Sequence, residues 1–147
     1  MLYSTNKKIL RKNARDASIF SITPTIVYYP ENKNDIKDLV NDVLSKKENG
    51  LDDSISITSR AAGTDMSGGP INDSIILSFT EKFNNIISVN EKEKTVTFQM
   101  GLFYRDLEKE LDKYNLMFPS YPASKNICAM GGVIANNSGG EKTLRYG

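Results

Sequence analysis

The order of residues 25–58 constrains the fold more than any other feature of this 147-residue chain. Residues 25–29 (TIVYY) are β-branched and aromatic, bounded by Pro24 and Pro30, and read as a strand. A helix follows. Asn32 can cap its first turn, and Asp35 sits three residues on as in a capping box. Ile36, Leu39, Val40, Val43 and Leu44 recur at helical spacing, which predicts one buried face. Lys46 and Lys47 suit the C-terminus of this helix, and Gly50 suits its stop. Residues 55–58 (ISIT) then read as a short strand. Two strands joined through a helix cannot form a hairpin; they predict a parallel pair with a right-handed crossover.

The pattern changes further along. Residues 74–79 read as a strand, and 86–90 and 95–100 as two strands around a charged tip at 91–94. Alternation puts Val96, Phe98 and Met100 on one face of the last of these. A second helix is expected over 103–114, with Tyr104, Leu107, Leu111 and Tyr114 on one side. The fold class is α/β (α+β): a small parallel βαβ unit followed by an antiparallel sheet with helices. Residues 1–24 are polar and basic and read as an N-terminal arm, in part helical and closed by Pro24. Residues 25–147 read as one domain, divided into subdomains 25–70 and 71–147.

Seven of the ten glycines lie in two short stretches, RAAGTDMSGG at 60–69 and MGGVIANNSGG at 130–140. Neither is the G-x-G-x-x-G dinucleotide fingerprint or a P-loop. Glycine lets backbone N–H groups approach a ligand without an intervening Cβ, and successive N–H groups form an anion-binding concavity. Thr64, Ser67, Asn136, Asn137 and Ser138 add neutral hydrogen-bonding groups. A ligand with a pyrophosphate and a planar ring would use both properties. A pair of tight turns remains the alternative reading. Asp65 would repel a phosphate if it faced inward, so it is expected to bond its own backbone.

Composition narrows the chemistry. There is one cysteine, Cys128, and no histidine, which excludes a disulfide framework, the usual zinc sites and histidine-based triads. Cys128 reads as a small buried apolar residue. A balance of 19 basic against 18 acidic residues gives no general pull toward nucleic acid. No apolar run is long enough to span a membrane, and the first residues lack the apolar core of a signal peptide. The expected location is cytoplasmic.

The motifs carry a resemblance. The PTIVYYP stretch at 24–30 with its helix start resembles the opening of the FAD-linked oxidase family, the vanillyl-alcohol oxidase type of flavin domain. RAAGTDMSGG at 60–69 resembles its pyrophosphate loop. FPSYPAS at 118–124, MGGVIANNSGG at 130–140 and the final RYG at 145–147 resemble its second flavin-contacting segment. Within the family, GGVIANNSGG is most similar to the D-2-hydroxy-acid dehydrogenase and glycolate oxidase flavin-subunit branch.

The resemblance implies FAD lying between two subdomains and held without a covalent bond, since the histidine that tethers it in some members is missing. It implies cofactor contacts from Ala61, Ala62, Gly63, Thr64, Ser67 and Gly68. Arg60 could neutralise the pyrophosphate, but an arginine closing a strand is more often a solvated end or a structural ion pair. A second set comprises Pro122, Ala123, Ser124, Gly131, Gly132, Ile134, Ala135, Asn136 and Asn137. It implies a role in oxidising a D-2-hydroxy acid such as lactate, glycolate or 2-hydroxyglutarate. No catalytic or metal-binding residue is assigned, because in this family the substrate groups come largely from a further domain. The family's flavin domain continues past the Tyr-Gly motif, so the chain reads as a piece truncated at its C-terminus, inactive alone and a poor binder of FAD. An open sheet edge is expected to favour association. A non-catalytic flavin- or nucleotide-binding module, or an incomplete scaffold, is the alternative.

Overall fold

The computed structural model describes residues 1–146. Leu2–Ser4 (β1) and Lys7–Asn13 (α1) precede Ile26–Tyr29 (β2), Lys33–Glu48 (α2), Ile57–Arg60 (β3) and Ile75–Ser78 (β4). The four strands form one sheet in the order β1-β2-β4-β3. β2, β4 and β3 run parallel, and β1 is antiparallel to β2.

Capping and packing explain α2. The Asn32 side chain accepts the N–H groups of Asn34 and Asp35 at 2.9 and 3.1 Å. The Asp35 carboxylate turns back to the N–H of Glu31 at 2.8 Å, one residue upstream of the usual capping-box partner. It also lies 3.6 Å from the N-terminal ammonium of Met1, which ties β1 to the helix. Gly50, at φ 65°, ends α2: its N–H bonds the Lys47 carbonyl and the Leu51 N–H bonds that of Lys46, a Schellman closure. Leu39 and Val43 pack on Ile75 and Leu77 of the sheet.

Three sequence expectations need correction here. The strands flanking α2 are parallel but not paired, because β4 inserts between them and bonds both. Ile75, Ile76 and Leu77 are all buried, as a central parallel strand covered on both faces requires. β4 thus belongs to the first sheet, although the sequence division at 70/71 put it in the second part. The expected buried face of α2 is narrower than its periodicity suggests: Val40 and Leu44 are 47% and 50% exposed, because the sheet reaches only the Leu39–Val43 line. The N-terminal arm is helical in part, as expected, in α1, and it also contributes the edge strand β1.

Ile86–Asn90 (β5) and Thr95–Phe98 (β6) form a separate antiparallel pair, with a bulge between Ile86 and Ser88. Tyr104–Asp112 (α3), Met130–Ala135 (α4) and Thr143–Tyr146 (α5) complete the described elements. Tyr104, Leu107 and Leu111 project from α3 into a core with Leu102, Tyr121, Cys128, Met130 and Val133. Val96 and Phe98 pack against this core, whereas Met100 is partly exposed past the end of β6. The Tyr104 hydroxyl donates to the Phe118 carbonyl at 2.9 Å and so carries its polar tip into the core without an unmet bond. Among the described residues, no helix is long and apolar enough to cross a membrane.

Candidate functional site

The first glycine-rich stretch leaves the carboxyl end of β3 as a loop, the usual position for ligand contacts in a parallel sheet. Gly63 and Gly68 hold φ of 72° and 86°, a region that side-chain-bearing residues rarely adopt. A Cβ at Gly63 would also overlap the Arg60 guanidinium.

Arg60 is turned to structural work. It is 7% exposed and donates through Nη2 to the Arg15 carbonyl at 2.6 Å and through Nη1 to the Pro70 carbonyl at 3.2 Å. Burial lowers its pKa, and the charge of Asp16 opposes that shift. The guanidinium clamps the base of the loop rather than pointing into open space.

The rest of the loop divides in two. Asp65 bonds its own backbone as expected: its Oδ2 accepts from the N–H groups of Ser67 and Gly69 at 3.1 and 2.9 Å and from the Ser67 hydroxyl at 2.8 Å. The Gly68 N–H is taken by Asp16 at 3.0 Å. Carboxylates therefore already fill the concavity at residues 67–69, which leaves Ser67 and Gly68 of the candidate set satisfied from within the chain. By contrast, the N–H groups of Ala62, Gly63 and Thr64 meet no protein acceptor among the described residues.

The second glycine-rich stretch opens as α4, with two glycines in its first turn. Helix propensity does not favour this, and tertiary bonds impose it. The Met130 and Gly131 N–H groups donate to the carbonyls of Leu102 and Met100 at 2.8 and 2.7 Å. Gly131 is thus committed to the core side. Gly132, Ile134, Ala135, Asn136 and Asn137 are exposed, and the turn after α4 passes through Asn137 at φ 46°. Pro122, Ala123 and Ser124 form a turn before α4, and Ser124 accepts from the N–H groups of Ile127 and Cys128. A Cβ at Gly140 would overlap the Tyr121 carbonyl, so the far end of the second cluster lies against this turn.

The two clusters meet. A Cβ placed on Gly132 would stand 4.0 Å from that of Ala61. Beside this junction, a cavity of about 470 Å³ runs under α1, lined by Ala61, Ala62, Tyr29, Ser78, Glu81 and Lys82 among others. Tyr29, Ser78, Thr80, Glu81 and Lys82 of this lining lie outside the sequence candidates. The carboxyl-end position of the loops after β2 and β4 was the signal that could have found them.

A diphosphate with an attached planar group fits part of this arrangement. Three unpaired amides at 62–64 suit the anion, and a glycine surface at 132 suits a flat group approaching closely. Residues 67–69 do not fit as they stand, because Asp16 and Asp65 occupy them.

A parallel α/β sheet with a glycine-rich loop at its carboxyl edge, set against a second small α+β unit, defines a nucleotide-cofactor domain. The chain belongs to the FAD binding domain family, which it matches over residues 24–147. It is 30% identical over 136 residues to D-2-hydroxyglutarate dehydrogenase of Haemophilus influenzae, an alignment covering 91% of this chain and 13% of that protein. It is 34% identical over 95 residues to glycolate oxidase subunit GlcD of Bacillus subtilis, covering 63% of this chain and 20% of that one. The chain therefore corresponds to a small part of the length of these relatives. Among solved structures, alkyldihydroxyacetonephosphate synthase shares the fold, with a TM-score of 0.79 at 22% identity over 99% of this chain and 28% of that one. FAD is the cofactor of the domain, and no histidine is present to tether it.

Proposed function

We propose that the chain is the FAD-holding part of a flavin-dependent dehydrogenase of D-2-hydroxy acids such as lactate, glycolate or 2-hydroxyglutarate. The observation that carries this reading is the junction of Ala61 with Gly132, beside three backbone N–H groups at 62–64 that have no protein acceptor. The similarity to a dehydrogenase and an oxidase subunit supports the substrate class.

In this reading the amides of Ala62, Gly63 and Thr64 hold the diphosphate of FAD, with Ala61 at the same shoulder. Ile134, Ala135, Asn136, Asn137 and the Pro122–Ala123–Ser124 turn line the remainder of the cofactor. Arg60 keeps the loop's base in place, and Ser67 and Gly68 hold its shape. The flavin ring supplies a hydride-accepting centre when bound. The residues here bind and orient it.

Association through an open sheet edge belongs to the same reading, since β3 ends one side of the four-stranded sheet. So does a cytoplasmic location, where the free buried thiol of Cys128 is at home.

Absorbance of the purified chain before and after FAD addition, with a filtration step that compares flavin in the protein-containing retentate and in the filtrate, tests the reading. Saturable retention of flavin bands supports it. Retention of AMP or ADP without preference for FAD would favour a nucleotide module of another kind.

A further inference from the structure

Residues 14–20 form neither strand nor helix, yet separate links tie them to the first glycine-rich loop. Arg60 Nη2 donates to the Arg15 carbonyl at 2.6 Å, and the Ala17 N–H donates to the Asp65 carbonyl at 2.9 Å. The Asp16 carboxylate accepts from the Gly68 N–H at 3.0 Å. The Phe20 ring covers Gly68 so closely that a Cβ there would come within 3.1 Å of it. The segment is itself folded: Asp16 Oδ1 accepts the Ser18 N–H at 2.9 Å, and the Ile22 N–H returns to the Ala14 carbonyl at 2.9 Å.

These links fall on loop residues 60, 65 and 68. They flank the amides of 62–64 and touch none of them. A glycine-rich loop has much conformational freedom to lose on binding a ligand, and fixing its shoulders beforehand lowers that cost. We propose that residues 14–20 are a strap that positions the cofactor loop, with Asp16 as its principal positioning residue, so that the amides of 62–64 stand ready for a diphosphate. This inference rests on the function proposed above. Asp16 acts through Gly68 and not on the ligand, which its own negative charge would repel.

Two readouts on the full chain test the strap, comparing the parent with Asp16→Ala and Asp16→Asn. Amide hydrogen exchange without flavin reads the loop itself, and a fluorescence titration with FAD reads the consequence. In Asp16→Ala, exchange at Ser67, Gly68 and Gly69, the loop amides that carboxylates hold, should quicken about tenfold while the amides of β2 and β4 stay unchanged, and the FAD dissociation constant should rise about tenfold. Asp16→Asn keeps one carbonyl oxygen as an acceptor and should fall between the two. Unchanged loop exchange overturns the strap, as does faster exchange spread over the whole chain, or a faster loop with unaltered FAD affinity. Failure of the parent to bind FAD at all counts against the proposed function, and the exchange pattern still decides whether the strap holds the loop.

Discussion

Gly132, in the first turn of α4, lies against Ala61 of the first glycine-rich loop, so that a Cβ on the glycine would reach only ordinary contact at 4.0 Å. Two segments some seventy residues apart in sequence thus share one junction. A methyl group fits there.

Substitution at this position should separate stability from binding. Gly132→Ala removes a poor helix former and is expected to leave thermal stability unchanged or raise it by about 0.5–1 kcal/mol. Gly132→Phe, on an exposed helix position, should retain the fold while filling the junction. Thermal unfolding and FAD titration of the two variants check this: the first keeps FAD affinity, and the second loses it by about tenfold or more.

Gly101 makes the opposite case, a glycine required for folding. A Cβ there would overlap the Phe79 carbonyl and stand 2.7 Å from the Phe83 carbonyl oxygen. The Gly101 N–H donates to that same oxygen at 2.8 Å. Gly101→Ala should therefore cost about 1–3 kcal/mol, read as a lower urea midpoint with an unchanged slope.

Much of this was legible in the sequence, for reasons that particular residues make plain. The Asn32 cap, the Leu39 and Val43 contacts and the Tyr104–Leu107–Leu111 face follow from local rules, and the structure reproduces them. The insertion of β4 between β2 and β3 was not legible, since strand order depends on long-range pairing that neither strand's composition encodes. Nor was α4 legible, because its glycines become helical through carbonyls supplied by Met100 and Leu102. At the candidate site, glycine spacing located the loop. The competition for its amides depended on Asp16, which lies 52 residues from Gly68 in sequence.

Tyr104 should confer an alkaline sensitivity. It is 1% exposed, and burial, followed by the nearby Glu108 charge, pushes its phenol well above the usual value. The neutral form is favoured in the folded state, so stability is full below about pH 10 and falls as pH rises from there toward the folded pKa. Tyr104→Phe should flatten that decline. At neutral pH it should cost about 1–3 kcal/mol by leaving the Phe118 carbonyl unpaired. Denaturant melts of both proteins between pH 7 and 11 check both effects.

Acid should loosen the first loop. The Asp65 carboxyl is held below its usual range, first by the Gly69 N–H and then by the Ser67 hydroxyl. Burial pushes Asp16 up, but the donors on Ser18 and Gly68 outweigh it and the net direction is down. Both groups contribute stability that is present above about pH 4 and lost as pH falls through their lowered folded values. The amide resonances of Gly68 and Gly69 should therefore titrate with midpoints below that of an ordinary aspartate. Midpoints at the ordinary value would contradict the bonding described.

Cys128 should be inert in the native protein. It is 3% exposed in the second core, and burial raises its thiol pKa, so the reactive thiolate is scarce. An aromatic disulfide reagent should label it only as denaturant unfolds the chain. Rapid labelling in buffer would show that this core opens locally.

The most direct measurement is a two-dimensional amide spectrum of isotopically labelled protein during FAD titration. Saturable shifts are expected at Ala62, Gly63, Thr64 and Gly132, with binding in the micromolar range or weaker. Shifts confined to cavity residues outside the two glycine clusters, such as Tyr29, Ser78 and Lys82, or no shifts at millimolar FAD, would contradict a cofactor site built where the two glycine clusters meet.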